Sequence, residues 1–349
     1  MGEYEMDFDG NIPVLSANGE SMPETWENSL VALHDHGIRY ARGGPKDQGK
    51  MQTDSTMTMA VNNPGSDDFF HKYIGTVPPQ NLFAYAFEFL GAKDCLAVDP
   101  RYDPEGDTRW EYTYHLAFER YNEGIGKTID QIAEVIERLA DKPHKRNSQM
   151  ITWRPEKDLH EDYPACMQRG WFFPVPMPDG SFKLNANYHF RSRNPMTAAP
   201  MNLFGESVFQ SYIADMVQER MQGKPEQQVL SPDKRILVVP GRLCDITDSY
   251  HVSSRDLPLL EKFIEQHHAS VEKEEEISDR AYGRDLFFPL FRDFTQTGEV
   301  KHMIQDEISN RYAERIESNP GLVDQLCDEK DRELARLDEI ESWLIKFLG

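Results

Sequence analysis

The chain has 349 residues, of which 39% are hydrophobic and 28% charged, a composition typical of a globular protein with a sizeable core. Its 38 basic and 60 acidic residues give a net charge of −22, which disfavours nucleic acid as a partner because a phosphate backbone is repelled. No apolar run approaches the ~20 residues of a membrane span. The acidic start lacks the basic and apolar segments of a secretory signal, so we expect a cytoplasmic protein that does not bind a membrane.

The four cysteines, Cys95, Cys166, Cys244 and Cys327, are scattered along the chain without a C-x-x-C pair. This spacing indicates neither a zinc site nor a disulfide framework, so we predict no bound metal and a free thiol at each position.

Hydrophobic periodicity predicts alternating helices and strands in the middle of the chain. A helix is predicted in the segment "GKTIDQIAEVIERLADKP" from Gly126, and Pro143 ends it. The apolar residues of this segment recur at spacings of three and four. Strands are predicted over "NSQMITW", "CMQRGWFFPV" and "FKLNANYHF", with a hairpin turn at "MPDGS". A second helix is predicted from about Pro200, followed by a strand in "KRILVVPGRLCDI".

This order predicts an α/β (α+β) fold with a mixed sheet flanked by helices. The charge-biased segment 272–276 places a boundary between a catalytic domain, residues 1–270, and a helical C-terminal extension, residues 271–349. Near the end of the chain an apolar stripe comprises Leu334, Leu337, Ile340, Trp343, Leu344 and Phe347. We expect this stripe to pack on the body or on a sister subunit, and the alternative is a helix that binds another partner.

A candidate phosphate receptor lies at the end of the last strand before the second helix. Arg191, Ser192 and Arg193 combine two guanidinium groups with a hydroxyl, a suitable set for a phosphate monoester. Because alternate strand residues point to opposite faces, Arg191 and Arg193 are expected to share a side. A solvated strand end is the alternative interpretation.

The order of these signals, with a proline two positions before Cys166, then R-S-x-N, then a later P-x-N, resembles thymidylate synthase and the related pyrimidine nucleotide hydroxymethylases. Asn202 follows Arg191 by eleven positions, the spacing found in that family. The resemblance is strongest from about Thr128 to Asp256. It implies the family's mixed sheet flanked by helices and a transferase of one-carbon groups, which acts on a pyrimidine nucleoside monophosphate.

The resemblance implies a role for each matching residue. Cys166 resembles the nucleophile that adds to C6 of the pyrimidine, Arg191 and Ser192 the phosphate ligands, and Asn202 the reader of the base. A thiolate is the nucleophilic form of cysteine, and neighbouring positive charge stabilises it. An asparagine amide can pair with O4 and N3–H of uracil, so a uracil nucleotide such as dUMP is favoured, while a turned amide would accept dCMP or CMP. The alternatives are a buried thiol at Cys166 and a helix cap at Asn202.

Further matches concern the phosphate and the sugar. Lys145 and Arg146 resemble the basic residues that reach the phosphate of the neighbouring subunit in a homodimer with shared active sites, and Arg42 resembles another phosphate-binding arginine. His251 resembles the histidine that holds the sugar hydroxyl. Ser253 stands where the family has a tyrosine, so ribose and deoxyribose both stay open. A solvated turn and an ordinary polar residue are the alternatives for these positions.

No single match specifies the residue that would transfer protons. The segment "NLFAYAFEFLGAKD" resembles the helix that carries the family's catalytic glutamate, but strict register puts Tyr85 at that position and Glu88 one turn later. Glu88 is the candidate for proton relay. Tyr114, with Tyr112 beside it in sequence, is an alternative source of a hydroxyl group in the site.

Three departures from the family bear on the product. Met167 follows the cysteine where synthases have histidine, Asn194 replaces the aspartate that meets the pterin, and the chain ends "KFLG" where the family has a closing segment. A site that admits water favours hydroxymethylation over reduction of the methylene group. We therefore predict C5 hydroxymethylation with 5,10-methylenetetrahydrofolate as co-substrate. The alternatives are reductive methylation of dUMP by a thymidylate synthase and a nucleotide-binding protein without turnover.

Overall fold

A computed structural model of the protein describes residues 10–41, 49–74, 79–91, 112–122, 126–161, 164–222, 236–285, 289 and 299–348. The strands are β1 Val14–Gly19, β2 Ile38–Ala41, β3 Met51–Asp54, β4 Thr56–Val61, β5 Asp68–His71, β6 Gln149–Ile151, β7 Met167–Pro176, β8 Phe182–Arg193, β9 Val238–Tyr250 and β10 Ala281–Gly283. The helices are α1 Met22–His36, α2 Pro79–Phe89, α3 Tyr114–Glu119, α4 Gln131–Asp141, α5 Pro155–Asp158, α6 Ala198–Met221, α7 Leu257–Glu272, α8 Ile277–Arg280, α9 Glu299–Ser318 and α10 Val323–Leu348.

The main sheet has six strands in the order β1-β4-β9-β8-β7-β6. The pairs β1 with β4 and β8 with β9 are parallel, whereas β4 with β9, β8 with β7 and β7 with β6 are antiparallel. The sheet is therefore mixed, and helices pack against it, as the sequence predicted. Two small pairs, β2 with β3 and β5 with β10, lie outside the main sheet.

The core lies between one face of this sheet and the helices, with α6 at its centre. Along β8 buried and less buried residues alternate from Phe182 to Phe190, as expected for a strand with one face on the core. Phe172 of β7 packs edge to face both on Tyr188 of β8 and on Phe209 of α6. Burial of each such side chain contributes about 1.5–3 kcal/mol, which fixes α6 over the strands that carry the candidate site.

Local signals account for the elements next to the site. Helix α4 begins after Asp130, whose carboxylate accepts the Ala133 N–H at 2.9 Å, and it ends two residues before Pro143. The predicted hairpin turn connects β7 to β8, with Gly180 at a φ of 86° and Asp179 accepting the Ser181 N–H at 2.9 Å. A positive φ favours glycine because it has no Cβ.

The last two helices pack on the body. The indole N–H of Trp343 donates to Asp215 of α6 at 3.0 Å, and its ring meets that of Tyr212 edge to face at 5.5 Å. Leu337, Ile340 and Leu344 of the predicted apolar stripe are buried. The short strand β10 pairs with β5, so residues on both sides of position 270 share contacts, and the division of the chain at that position stays a prediction.

None of the described helices is long and apolar enough to cross a bilayer. Cys166, Cys244 and Cys327 carry free thiols, and Cys95 lies outside the described residues.

Candidate active site

Cys166 lies immediately before β7 and is held by two backbone hydrogen bonds. Its carbonyl accepts the Arg191 N–H at 2.9 Å, which extends the pairing of β7 with β8. Its own N–H donates to the hydroxyl oxygen of Tyr112 at 3.2 Å. The residue is partly exposed. A thiol in this position has a fixed backbone and is not sealed in the core, as a nucleophile requires.

Arg191 lies beside the cysteine through its side chain as well. Its Nε donates to the Ala165 carbonyl at 3.2 Å, and Nη2 donates to the Pro164 carbonyl at 2.6 Å. These bonds hold the guanidinium against the segment that carries Cys166 and use two of its five N–H groups. Ser192 follows on the same strand, partly exposed and in register with Ser249 of β9. The sequence-predicted phosphate ligands and nucleophile are therefore neighbours.

Arg193 has a different environment, so the expectation that it shares a side with Arg191 is wrong. It is buried, forms a two-pronged ion pair with Asp245 of β9, and lies 3.7 Å from the Glu206 carboxylate. Its guanidinium also stacks over the Phe190 ring at 4.4 Å. Alternation breaks at the end of β8, where two successive residues are partly exposed before Arg193 turns inward. The buried Arg193 side chain thus connects β8 to β9 and to α6.

Burial raises the pKa of the Glu206 carboxyl well above its ordinary value, and the charge of Asp245 adds to this effect while Arg193 opposes it. Burial alone would lower the pKa of Arg193, but Asp245 and Glu206 raise it. Burial therefore favours the neutral form of Glu206 even next to the Arg193 guanidinium.

Three tyrosines surround this region. The Tyr112 and Tyr114 rings are 6.0 Å apart, and Tyr114 packs edge to face on Phe190 of β8 at 6.0 Å. Burial raises the pKa of Tyr112, Tyr114 and Tyr85, and the neighbouring Cys166 contributes for the first two. Their hydroxyl groups therefore stay protonated at neutral pH and can donate hydrogen bonds.

Asn202 lies inside α6 and faces α2. Its Nδ2 donates to the Tyr85 hydroxyl at 2.5 Å. The N-cap residue of α6 is Thr197, so the alternative in which Asn202 caps this helix is wrong. Glu88, three residues after Tyr85 on α2, is also buried, and its charge adds to the burial that raises the pKa of Tyr85. Tyr85 is thus bonded to the predicted base reader and lies on the same helix as the predicted proton relay.

Asn194 and His251 lie at the far ends of β8 and β9. Asn194 donates from Nδ2 to the buried Asp256 carboxylate at 2.7 Å and accepts the Met196 N–H at 2.8 Å. The backbone N–H of His251 donates to the Arg193 carbonyl at 3.2 Å. His251 is partly exposed, with Nδ1 3.2 Å from the Ser249 hydroxyl. A carboxylate is therefore present next to Asn194, although Asn194 itself carries an amide.

Lys145 and Arg146 are exposed on the turn before β6. The Arg146 guanidinium lies 5.3 Å above the Phe173 ring, and its carbonyl accepts the Trp171 indole N–H at 2.9 Å. Trp171 is five residues beyond Cys166, which corresponds to roughly 16 Å along a strand. These basic residues are therefore not part of the cluster around Cys166 in the same subunit. Arg42 lies outside the described residues.

Sequence reasoning missed Asp245, Glu206 and Asp256 as partners of site residues. A helical spacing of four joins Glu206 to Asn202 on α6 and could have indicated that these two side chains share a face. Asp245 is 52 positions from Arg193, and no local pattern marks this pair.

Comparison with known proteins gives a consistent family. The thymidylate synthase family model matches residues 88–224. A Methanosarcina barkeri protein named "Putative thymidylate synthase" is 29% identical over 247 residues, which cover 70% of this chain and 92% of that protein. A protein of the same name from Methanosarcina acetivorans is 29% identical over 155 residues, which cover 44% of this chain and 58% of that protein. These matches support the resemblance to the thymidylate synthase-like superfamily that the order of the motifs predicted.

Among solved structures, the thermostable thymidylate synthase A from Bacillus subtilis matches with a TM-score of 0.48 and 14% identity, covering 70% of this chain and 84% of that one. The superfamily is one of one-carbon transferases, and this supports the enzyme class predicted from the sequence.

Proposed function

We propose that the protein transfers a one-carbon group to C5 of a pyrimidine nucleoside 5′-monophosphate and releases the hydroxymethyl product, with a uracil nucleotide such as dUMP as the favoured substrate. The observation that carries this proposal is the placement of Cys166. It is partly exposed, its carbonyl is bonded to the Arg191 N–H at 2.9 Å, and the Arg191 guanidinium is held against the two preceding residues. These contacts support a nucleophile and a phosphate ligand that act next to each other.

The chemistry proposed for Cys166 is addition to C6 of the base. The sulfur forms a bond to C6, and the π electrons of the C5–C6 bond move to C5 and O4, so C5 becomes nucleophilic. An amide N–H of Asn202 directed at O4 stabilises the charge that develops there. C5 would then bond to the methylene carbon of the co-substrate as one of its two C–N bonds breaks. Loss of the C5 proton would break the second C–N bond, release tetrahydrofolate and leave an exocyclic methylene group. Addition of water to that group, with loss of a proton, and expulsion of the Cys166 thiolate would restore the C5–C6 double bond in the hydroxymethyl product.

The co-substrate 5,10-methylenetetrahydrofolate supplies the one-carbon unit. Asn194 and the Asp256 carboxylate, joined at 2.7 Å, are the residues proposed to hold its pterin ring, because a carboxylate accepts hydrogen bonds from the amino and ring N–H groups of a pterin. In this proposal the Asn194 amide positions the Asp256 carboxylate for the pterin.

Proton transfer in the site is proposed for Tyr112, Tyr114 and Glu88. The Tyr112 hydroxyl meets the Cys166 backbone at 3.2 Å, and Tyr114 lies against it. Hydroxyl groups that stay protonated can orient a water molecule as well as donate to the base. Water near the transferred carbon gives the hydroxymethyl product, whereas a site closed to water favours reduction. The buried apolar side chain of Met167 supplies no imidazole next to the nucleophile.

The proposal includes a homodimer in which Lys145 and Arg146 of one subunit reach the phosphate bound by the other. Two features support it. These residues lie away from the Cys166 cluster of their own subunit, and the sheet face beside them is only partly covered, with Trp171 and Phe173 stacked at 5.8 Å and Val175 exposed. A second copy would cover this face.

The decisive experiment uses UMP, dUMP, CMP and dCMP, each tritiated at C5, with 5,10-methylenetetrahydrofolate. Release of tritium to water is expected with a uracil nucleotide, and the product mass is expected to show a hydroxymethyl group. A methyl product would instead identify reductive methylation. Binding without tritium release from any of the four would identify a nucleotide-binding protein and overturn the enzymatic proposal.

A matched pair of variants tests the nucleophile. Cys166→Ala is expected to abolish tritium release, while Cys327→Ala, which removes an exposed thiol on α10, is expected to keep it. Full turnover by Cys166→Ala would refute covalent addition. Mass spectrometry of the denatured protein after incubation with the 5-fluoro analogue of the substrate is expected to find the adduct on the peptide that contains Cys166.

A further inference from the structure

Asn202 and Tyr85 form a buried pair between α6 and α2. Only 7% of Asn202 and 6% of Tyr85 is exposed, and Asn202 Nδ2 donates to the Tyr85 hydroxyl at 2.5 Å. In strict register with the thymidylate synthase family, Tyr85 stands where that family has its catalytic glutamate. The hydroxyl therefore meets the amide that is proposed to read the base.

The direction of this hydrogen bond decides which base the amide can read. With Tyr85 as acceptor, one Nδ2 hydrogen is given to the tyrosine, the second can be donated to O4 of uracil, and Oδ1 can accept N3–H. With Tyr85 as donor, the amide is turned around, Oδ1 accepts from the tyrosine and from the cytosine amino group, and Nδ2 donates to N3 of cytosine. A neighbouring group that donates and accepts hydrogen bonds equally well would give the two orientations of the Asn202 amide the same energy.

The atoms of this contact assign the acceptor role to Tyr85. The amide nitrogen Nδ2 of Asn202, and not its oxygen, lies 2.5 Å from the Tyr85 hydroxyl. An amide N–H can only donate, so the hydroxyl oxygen is the acceptor. Burial, followed by Glu88 of α2 and Glu206 of α6, raises the pKa of Tyr85, so the hydroxyl stays protonated beside the amide.

The ring of Tyr85 has little freedom to turn away. It meets Phe89 edge to face at 5.7 Å, and it lies so close to Gly205 of α6 that a Cβ built there would be 2.8 Å from Tyr85 Cε1. The hydroxyl is thus held at a fixed place by packing, independently of its bond to Asn202.

We propose that Tyr85 is a positioning residue that selects uracil over cytosine, because it accepts a hydrogen bond from Asn202 and so fixes the orientation of the amide. This inference rests on the proposed function, in which Asn202 reads the pyrimidine edge. It assigns the choice of base to an interaction between two helices and not to Asn202 alone.

The test compares kcat/KM for a uracil nucleotide and for its cytosine counterpart, by tritium release from C5, in the wild-type protein and in Tyr85→Phe. The variant keeps the ring and removes only the hydroxyl. The ratio of uracil to cytosine is expected to fall at least about tenfold, the factor that corresponds to roughly one hydrogen bond. The matched control is Tyr188→Phe, which removes a buried hydroxyl 3.3 Å from the Glu206 carbonyl, and its ratio is expected to equal that of the wild type.

A second comparison separates positioning from a general structural effect. In Asn202→Asp the carboxylate has two equivalent oxygens, so there is no orientation for Tyr85 to fix. Adding Tyr85→Phe to Asn202→Asp is therefore expected to leave the base ratio unchanged within about twofold. A fall of the ratio that is equally large in both backgrounds would overturn the inference. Circular dichroism of each variant checks that it is folded.

The outcomes distinguish this inference from the proposed function. If the wild-type protein neither turns over nor binds UMP, dUMP, CMP or dCMP in calorimetry, both fail. If it binds them without turnover, the affinity ratio replaces kcat/KM as the readout. If the wild type prefers uracil and Tyr85→Phe keeps that preference, only the inference about Tyr85 is overturned.

Discussion

Substitution of Glu27 tests whether a buried ionised carboxylate stabilises the fold. Only 4% of its side chain is exposed, and its two oxygens contact three basic groups. His71 of β5 and His267 of α7 each lie at 2.9 Å, and Arg280 of α8 donates at 2.8 and 3.0 Å. Glu27 lies on α1, so these bonds tie four elements together. We predict that Glu27→Gln destabilises the protein.

The size of the effect follows from the pKa of Glu27. Burial alone would raise the pKa, but the hydrogen bonds from His71 and Arg280 and the charge of Arg280 outweigh it and lower the pKa from 4.5 to about 2. This difference corresponds to about 3 kcal/mol of stability. Because the pKa is lowered in the folded state, the contribution is fully present above pH 4.5, the ordinary value, and is lost as the pH falls towards about 2.

The assay is urea unfolding of the wild type and of Glu27→Gln at two acidic pH values. The expected difference in unfolding free energy is about 3 kcal/mol near pH 5 and about 1.5 kcal/mol near pH 3. The two proteins differ only at this side chain, so the change of their difference between the two pH values reports the Glu27 carboxyl group. The control is Glu265→Gln, an exposed glutamate on the helix that carries His267, with an expected difference below about 0.5 kcal/mol.

Two results would refute this reasoning. The first is a difference below about 1 kcal/mol near pH 5, which would mean that the desolvation of the carboxylate cancels its interactions. The second is a difference that stays the same near pH 5 and near pH 3, which would show that Glu27 acts through packing and not through its charge.

Two other predictions concern the packing of α6. Gly205→Ala is expected to lower the unfolding free energy by about 1–3 kcal/mol and to reduce turnover, because a Cβ there would lie 2.7 Å from Phe89 Cδ2 on α2. An unchanged urea midpoint for this variant would show that α2 shifts to accommodate the added methyl group without loss of stability. Trp343→Phe removes the indole bond to Asp215 but keeps an aromatic ring against Tyr212, so a loss of about 1 kcal/mol in urea unfolding is expected. An unchanged midpoint for this variant would mean that the bond adds no net stability.

The parts of the fold that could be predicted are those with strong local signals. Helix α4 has a clear apolar periodicity and a capping Asp130, and the turn between β7 and β8 has glycine at the positive φ that it needs. The first third of the strand order in the main sheet, β1 and β4, could not be predicted in this way. The strands β1 and β4 at one edge are short and pair in parallel, and nothing in their local sequence specifies which strands they join.

The same distinction applies to the site. Cys166 and Arg191 could be related from the order of the motifs, and they are neighbours because their strands form a hairpin. Asn202 and Tyr85 are separated by 117 positions, and their contact depends on how α2 and α6 pack. Spacing along the chain indicates what a residue can do, but such long-range contacts decide how its side chain is oriented.

The end of β8 divides its polar residues between two tasks that depend on each other. Arg191 remains next to the surface beside Cys166, while Arg193 turns inward to Asp245 and lies 3.7 Å from Glu206. Glu206 is one turn beyond Asn202 on α6, so Arg193 connects the strand of the proposed phosphate ligand to the helix of the proposed base reader. Leaving a buried charge without its partner costs more than the pair contributes. The contacts that stabilise Arg193 in the core are therefore the same contacts that set the geometry of the proposed nucleotide site.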